Sequence, residues 1–376
     1  MRVLFVANGH GETAISARIA AELEARATAP LTLDLLPLVG TGAGAAPLDL
    51  VGPRRTMPSG GLVAMGNVRA FSRDLRAGFV ALFARQLAFL LSLRDRYDIV
   101  LAIGDAYALG LALLVRAPTV FVGTAKSVYV APYGPFERTL LRRAGRVFVR
   151  DEPTARRLRA QRVDASAPGN VIVDLVSECE SAGTPRSALA VLPGSRESAY
   201  GDGVRLARVV RALAAERPDL DGVFSIAPTL DSERFARTLA ADGWAITAGT
   251  GDRPFAASAG AARLAAWSGD FGELLGASVA VLGQAGTANE QAAACGVPVI
   301  ALGSVDGHED WYRMRQRRLL GEALAIVPGE PAAAATAIAA LLADEPRLER
   351  MRAAGRARMG GRGGAAAIAR AVLEPA

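Results

Sequence analysis

Cysteine, histidine and lysine are nearly missing from this chain. Its 376 residues include two cysteines, two histidines and one lysine. Cys179 and Cys295 are too few for a disulfide scaffold and form no Cys-x-x-Cys pair for a metal. His10 and His308 are too few for a histidine-built metal centre, so no metal is expected. Long apolar runs are missing too. The stretch 77–93 is broken by Arg85 and Gln86, and 99–115 by Asp105, short of the roughly 20 residues a membrane span needs. The opening run Val3-Leu4-Phe5-Val6-Ala7 meets Asn8, His10 and Glu12 at once and has no cleavage site, which argues against an export signal. A cytoplasmic protein is the expectation. No nucleic-acid-binding module accompanies the basic residues, so nucleic acid is not an expected partner.

What is present is apolar side chain and arginine. Hydrophobic residues make up 51% of the chain and charged ones 21%, ample for burial. The length suits two domains of roughly 150–200 residues. The net charge of +6 favours anionic partners such as phosphates or membrane surfaces. Lys126 is the one lysine; every other basic residue is Arg, a bias that a GC-rich coding background explains. Lys126 is then either chance or a place where a compact ammonium is needed and a planar guanidinium would not serve.

Short apolar runs at 3–7, 31–36, 99–103, 119–122 and 146–149 alternate with helical patterns at 14–26, 68–94, 107–115 and 136–143. A Gly/Pro-rich loop covers 40–61. The pattern restarts after a polar, turn-rich linker at 177–188. Strands are expected at 189–192, 223–226, 279–282 and 297–301, and helices at 204–216 and 288–295. Tail helices follow at 332–342, 347–358 and 365–373. Such alternation means parallel sheets covered on both faces. The fold class expected is α/β, with two Rossmann-like, doubly wound domains facing a cleft. The first would span 1–176, joined by a returning C-terminal helix at 365–376, and the second 189–358. Ligands of open α/β sheets bind at the carboxyl ends of the strands.

Several segments at such ends can carry chemistry. In Leu282-Gly283-Gln284-Ala285-Gly286-Thr287-Ala288-Asn289-Glu290-Gln291 a strand turns at Gly286-Thr287 into a helix whose N–H groups suit a phosphate. Glu290, in its first turn, is placed to accept hydrogen bonds from ribose hydroxyls; the plain alternative is a helix start that needs no ligand. In Leu192-Pro193-Gly194-Ser195-Arg196 the glycine turn admits a ligand and Arg196 can clamp a pyrophosphate. Alternatively it is an ordinary turn with a solvated Arg. In Asn8-Gly9-His10-Gly11-Glu12-Thr13-Ala14 the pattern Gly9-x-Gly11-x-x-Ala14 fits a dinucleotide fingerprint, with Asp34 about 20 residues on as the ribose acid. His10 can instead be a general base, with Glu12 as a second candidate. Asp105, in Gly104-Asp105, is either a base or a helix cap. Lys126 lies in Gly123-Thr124-Ala125-Lys126-Ser127, after another strand. Gly169-Asn170, with Asp174, precedes the linker at a domain junction.

Together with Gln316-Arg317-Arg318-Leu319-Leu320-Gly321, these segments resemble the lipid-A-disaccharide synthase family of GT-B glycosyltransferases, and its synthase-related branch most. They fall in matching order over nearly the whole chain. The resemblance implies a C-terminal domain that holds a UDP-sugar and an N-terminal domain that takes the acceptor. Gly194, Ser195 and Arg196 match the donor-phosphate motif. Gly286, Thr287, Ala288, Glu290 and Gln291 fall in the nucleotide motif, and Asp105 falls where the family has an acid needed for activity. No cofactor is implied beyond the UDP-sugar donor.

The reaction expected is an inverting, metal-independent glycosyl transfer. His10 or Asp105 would take the acceptor's proton, with Glu12 and Lys126 also catalytic candidates. Arg196 and the N–H groups at Gly286–Ala288 would stabilise the leaving UDP. Two alternatives stand beside it: an NAD-dependent oxidoreductase using Gly9, Gly11 and Asp34, and a nucleotide-sugar epimerase. The acceptor expected is a lipid, held at an anionic membrane surface, or another hydroxyl compound. The helix at 68–96 bears Arg69, Arg73, Arg76, Arg85, Arg94 and Arg96 beside Phe71, Phe79, Phe83 and Phe89. Arg138, Arg142, Arg143 and Arg146 add charge to the same domain. The plain alternative is a core helix with one solvated face. The oligomeric state stays open.

Overall fold

The run Arg-Val-Leu-Phe-Val-Ala is buried from its second residue onward and forms β1 (Arg2–Ala7), the strand around which the first half is built. The computed structural model describes residues 1–57, 74–179, 186–304 and 311–374, with the backbone alone at His10, Trp311 and Tyr312. The chain forms two units: Met1–Leu175 with Gly360–Ala376, and Val176–Met359.

Unit 1 holds β2 (Thr32–Pro37), β3 (Asp49–Leu50), β4 (Ile99–Gly104), β5 (Thr119–Gly123), β6 (Arg146–Val149) and β7 (Ala165–Ser166) beside β1. They lie in the order β3-β2-β1-β4-β5-β6-β7, every pair parallel. The chain winds from β1 outward to β3, then resumes at β4 on the other side of β1. The ends of β1 and β4 are therefore the point where the winding reverses, where α/β sheets bind ligands. Apolar layers cover both faces. One packs the helix His10–Arg26 through Ile15, Ile19 and Leu23 against Ala365, Ile368 and Val372 of the last helix, Gly364–Leu373.

That last helix is held by the motif that the sequence put at a domain junction. Asp174 accepts hydrogen bonds from the Gly363 N–H at 2.7 Å and the Ala365 N–H at 2.8 Å. It thus supplies the missing cap from a distant segment. Gly169 has φ +148°, and a Cβ there would fall 2.5 Å from the Gly364 nitrogen, so only glycine lets the returning chain in.

Unit 2 contains β8 (Ala188–Leu192), β9 (Asp221–Ser225), β10 (Ala245–Thr250), β11 (Arg253–Ala259), β12 (Ala262–Trp267), β13 (Ser278–Gly283), β14 (Val299–Leu302) and β15 (Leu324–Val327). Their order is β10-β11-β12-β9-β8-β13-β14-β15. The core is parallel, but β10, β11 and β12 pair antiparallel. The sequence pattern predicts no element between 227 and 278, and the structure differs. The stretch holds the helices Ser232–Ala241 and Phe271–Ala277 and all three antiparallel strands. Their small residues and the solvent exposure of β10 leave little apolar alternation to read. Cys179 and Cys295, too few for a scaffold, are joined by one disulfide with Cα atoms 5.8 Å apart.

Three helix boundaries also shift. The first helix starts at His10 rather than residue 14, and the helix after β8 at Ala199 rather than 204. Of the helix expected over 68–94, Phe79–Ser92 is seen, while 68–73, with Arg69, Phe71 and Arg73, lie outside the described residues. Phe79, Phe83 and Phe89 are partly buried and pack against apolar clusters. Among the described residues no helix is long and apolar enough to cross a membrane.

Candidate functional site

At the reversal point of unit 1, Asn8 follows β1 and Asp105 follows β4. The Asn8 side-chain amide donates to Asp105 Oδ2 at 2.9 Å. Asp105 Oδ1 accepts the N–H groups of Tyr107 at 3.0 Å and Ala108 at 3.2 Å, capping the helix Ala106–Ala112. Burial pushes the Asp105 pKa up, the backbone hydrogen bonds of Ala108 and Tyr107 pull it back, and the charge of Glu137 adds to the rise. The Tyr107 phenol is pushed up to about 12 by burial and the nearby Asp105 charge. Glu12 Oε1 accepts the Thr124 hydroxyl at 3.0 Å, and Thr124 follows β5. Gly104 sits at φ +125°, and a Cβ there would lie 3.3 Å from Glu12 Cγ and 3.4 Å from Asn8 Cβ. The glycine lets the Glu12 and Asn8 side chains close over it.

The structure thus places Glu12, bonded to Thr124, and Asp105, bonded to Asn8, around Gly104. Lys126 joins them at one remove. Its ammonium pairs with Glu137 Oε2 at 2.7 Å, both side chains largely buried, and lies 5.8 Å from the centre of the Tyr133 ring. It is half of an ion pair rather than a solvated cation. Sequence reasoning missed Glu137. Its signal was the start of the helix Pro135–Leu141, where Glu137 also accepts the Gly134 N–H at 2.7 Å. His10 opens the first helix, so Gly9 to Glu12 is a helix start, not a free loop. The candidacy of the His10 side chain as a base lies outside the described residues.

Asp34 does not serve as a ribose acid here. It lies inside β2, level with Leu4 rather than with the end of β1 at Ala7. It is buried and accepts the Tyr97 hydroxyl at 2.6 Å. Burial, then that hydrogen bond, pushes the Tyr97 pKa up. The Gly9-x-Gly11 fingerprint therefore lacks its acid at the strand end.

Unit 2 has its own reversal point, between the neighbouring strands β8 and β13, whose register pairs Leu192 with Gly283. The Gln284 N–H donates to the Leu192 carbonyl at 2.9 Å, so the two following loops start side by side. Gly194, Ser195 and Arg196 follow β8. Gly194 has φ +111° and open space where a Cβ would stand. Ser195 and Arg196 are exposed, and among the described residues Arg196 has no ion pair. After β13, Gly286 precedes the helix Thr287–Ala294, with no side chain capping its first turn. Thr287 is exposed, Ala288 and Gln291 half-buried and Glu290 buried in that turn. Gln316 Nε2 braces the loop through the carbonyls of Ala285 at 2.8 Å and Gly286 at 3.2 Å. The Gln284 side-chain nitrogen is buried there without a partner among the described residues. A loop held from behind, with an unpaired donor and an uncapped helix start, has the donors to accept an anion. Among the described residues no three His, Cys, Asp or Glu side chains are arranged to hold a metal ion.

No family model and no curated protein sequence matches the chain. Solved structures do. A protein assigned as a UDP-N-acetylglucosamine 2-epimerase from Listeria monocytogenes is 15% identical, with 99% of this chain and 95% of that one covered, at a TM-score of 0.62. A calicheamicin glycosyltransferase is 16% identical over 99% and 98%, at 0.61. The UDP-GlcNAc 2-epimerase of Neisseria meningitidis, solved bound to UDP-GlcNAc, is 16% identical over 100% of both chains, at 0.57. At these identities the likeness shows the fold. The chain has the GT-B fold, with two Rossmann-like α/β domains.

Proposed function

We propose that the protein is a glycosyltransferase that moves a sugar from a UDP-sugar to a hydroxyl acceptor, related to lipid-A-disaccharide synthase, with a lipid as the acceptor class. The observation that carries the reading is the pairing of loops at the ends of β8 and β13. An exposed guanidinium, Arg196, follows one strand, and an uncapped helix start at Gly286–Ala288 follows the other. Both are donors suited to a diphosphate on which charge grows as the anomeric bond breaks. Glu290, buried in the first turn, is assigned to the ribose hydroxyls, and Gln291 to the same nucleotide. Unit 1 supplies the proton acceptor. Asp105 is the first candidate, because burial has raised its proton affinity towards the range where a base works. Glu12, bonded to Thr124, is the second. Lys126 acts through Glu137 rather than on substrate.

The acceptor oxygen attacks the anomeric carbon as its proton passes to the base, and the bond to the UDP oxygen breaks with its electron pair leaving on the diphosphate. Inversion follows from a single displacement. A second reading, epimerisation of a UDP-sugar, is favoured by the UDP-GlcNAc 2-epimerases among the structural neighbours. Incubation with acceptor and a panel of UDP-sugars, read by mass analysis and by chromatography that resolves sugar epimers, separates the two. Transfer yields free UDP and an acceptor heavier by one glycosyl unit; epimerisation yields an isomer of unchanged mass. A panel in which neither appears, while NAD raises the melting temperature and UDP does not, refutes both.

A further inference from the structure

Unit 1 has a cationic feature at the opposite end of its strands from Asp105. A cavity of about 400 Å³ is floored by Leu113, Leu114 and Leu140 and rimmed by Arg94, Arg116 and Arg143. The three arginines precede β4, β5 and β6, which run parallel, so all three stand at the amino-terminal edge. All three are exposed.

Several arginines among the described residues are engaged. Arg138 donates to the Tyr133 carbonyl, and Arg142 to the carbonyls of Gln161 and Arg162. Arg159 pairs with Glu152, and Arg217 with Asp219. Among the described residues, the side chains of Arg116 and Arg143 have no hydrogen bond or ion pair. Arg94 has only a long bond to the Leu114 carbonyl, at 3.4 Å. Arg116 also holds φ +60°, a left-handed conformation that usually falls to Gly or Asn. Three unneutralised guanidiniums around one cavity repel each other, and a bound phosphate relieves that repulsion through charge-assisted hydrogen bonds.

A free phosphate would have no use for the leucine floor, nor for the apolar surface beyond it. Phe136, one turn before Leu140 on the helix Pro135–Leu141, is 74% exposed. Val80 and Leu91, on the helix that leads to Arg94, are 62% and 36% exposed. We propose that this cavity binds the phosphate headgroup of an anionic lipid, with the three guanidiniums on the phosphate and the leucine floor and Phe136 against the adjoining acyl chain. The contact surface is thus the cavity rim rather than the partly buried Phe79, Phe83 and Phe89. The proposal does not rest on sugar transfer, because lipid binding is read without any donor.

The test is co-sedimentation of the full chain with phosphatidylglycerol-containing vesicles and with pure phosphatidylcholine vesicles. Binding to the anionic vesicles is expected. The triple variant R94Q/R116Q/R143Q should lose about a hundredfold in partition, at about fivefold per arginine. Phe136→Ser should weaken binding several-fold with an unchanged melting temperature. A control of equal net charge, R237Q/R347Q/R350Q, removes three exposed arginines from unit 2 and should bind like the parent. Equal losses in the control and the triple variant overturn the proposal, because net charge alone would then explain binding. Stabilisation by inorganic phosphate with no vesicle binding overturns it as well, leaving a site for a free anion.

Discussion

Replacing Asp105 separates its two duties, as helix cap and as proton acceptor. Asp105→Ala removes a cap that accepts two backbone N–H groups, which costs about 1 kcal/mol. It also strands the buried Asn8 amide, now bonded to Asp105 Oδ2, at a further 1–3 kcal/mol or so. The melting temperature should fall by roughly 5–10 °C. Asp105→Asn keeps an oxygen for the cap. Its amide meets Asn8, whose Oδ1 is buried and unbonded and can accept once the Asn8 amide turns over. The cost should be a few tenths of a kcal/mol. As a base, however, Asn is useless, and turnover should fall about a hundredfold or more. The pH dependence carries a sign. The Asp105 pKa is raised above its ordinary 3.8, so above that value the folded protein holds the proton that the unfolded chain has released. Stability contributed by this group therefore falls as pH rises from about 3.8 to the folded value, and is level above it. Asp105→Asn should flatten that part of the curve. Thermal unfolding across pH, with UDP release as the activity assay, reads all three effects. Near-parent turnover in Asp105→Asn would refute the base assignment and pass the role to Glu12. A melting loss equal to that of Asp105→Ala would refute the cap argument.

Other outcomes follow from single contacts. Arg196→Ala should lower kcat by about a hundredfold while leaving the melting temperature unchanged, because the side chain is exposed. Lys126→Met leaves Glu137 largely buried without its cation, at a cost of about 3 kcal/mol; the unbalanced carboxylate should also raise the Asp105 pKa further and move the acidic limb of the pH–rate profile upward. Gly169→Ala should destabilise unit 1 by several kcal/mol and release the last helix to proteolysis, since the new Cβ would stand 2.5 Å from the Gly364 nitrogen.

The α/β class was legible because strands buried on both faces read as continuous apolar runs, as in Val3–Ala7 and Val100–Ile103. The turns at Gly194 and Gly286 were legible because a strand running into glycine and a helix start is a local pattern. The antiparallel strands β10 to β12 were not: β10, at the solvent-exposed edge, has no contrast between faces, and in β11 and β12 the buried positions are mostly Ala, a weak apolar signal. Nor were the partners of the site residues. That Asn8 bonds Asp105, that Thr124 bonds Glu12 and that Glu137 takes Lys126 are consequences of which strand ends adjoin, and strand order is not written in any one segment. The segment Gly169–Asp174 was visible as unusual but not as the dock for the last helix, because its partners lie near residue 363. The dinucleotide fingerprint misled for a related reason: its spacing is met, yet the register of β2 carries Asp34 away from the strand end.

The account turns on where a uridine diphosphate is gripped, and hydrogen–deuterium exchange of the full chain with and without UDP asks this directly. It predicts slowed exchange in peptides covering 193–197 and 284–291, with the amides of Thr287 and Ala288 among the most protected. Unchanged exchange in both loops at saturating UDP, or protection that appears only at residues 8–13 and only with NAD, would contradict it.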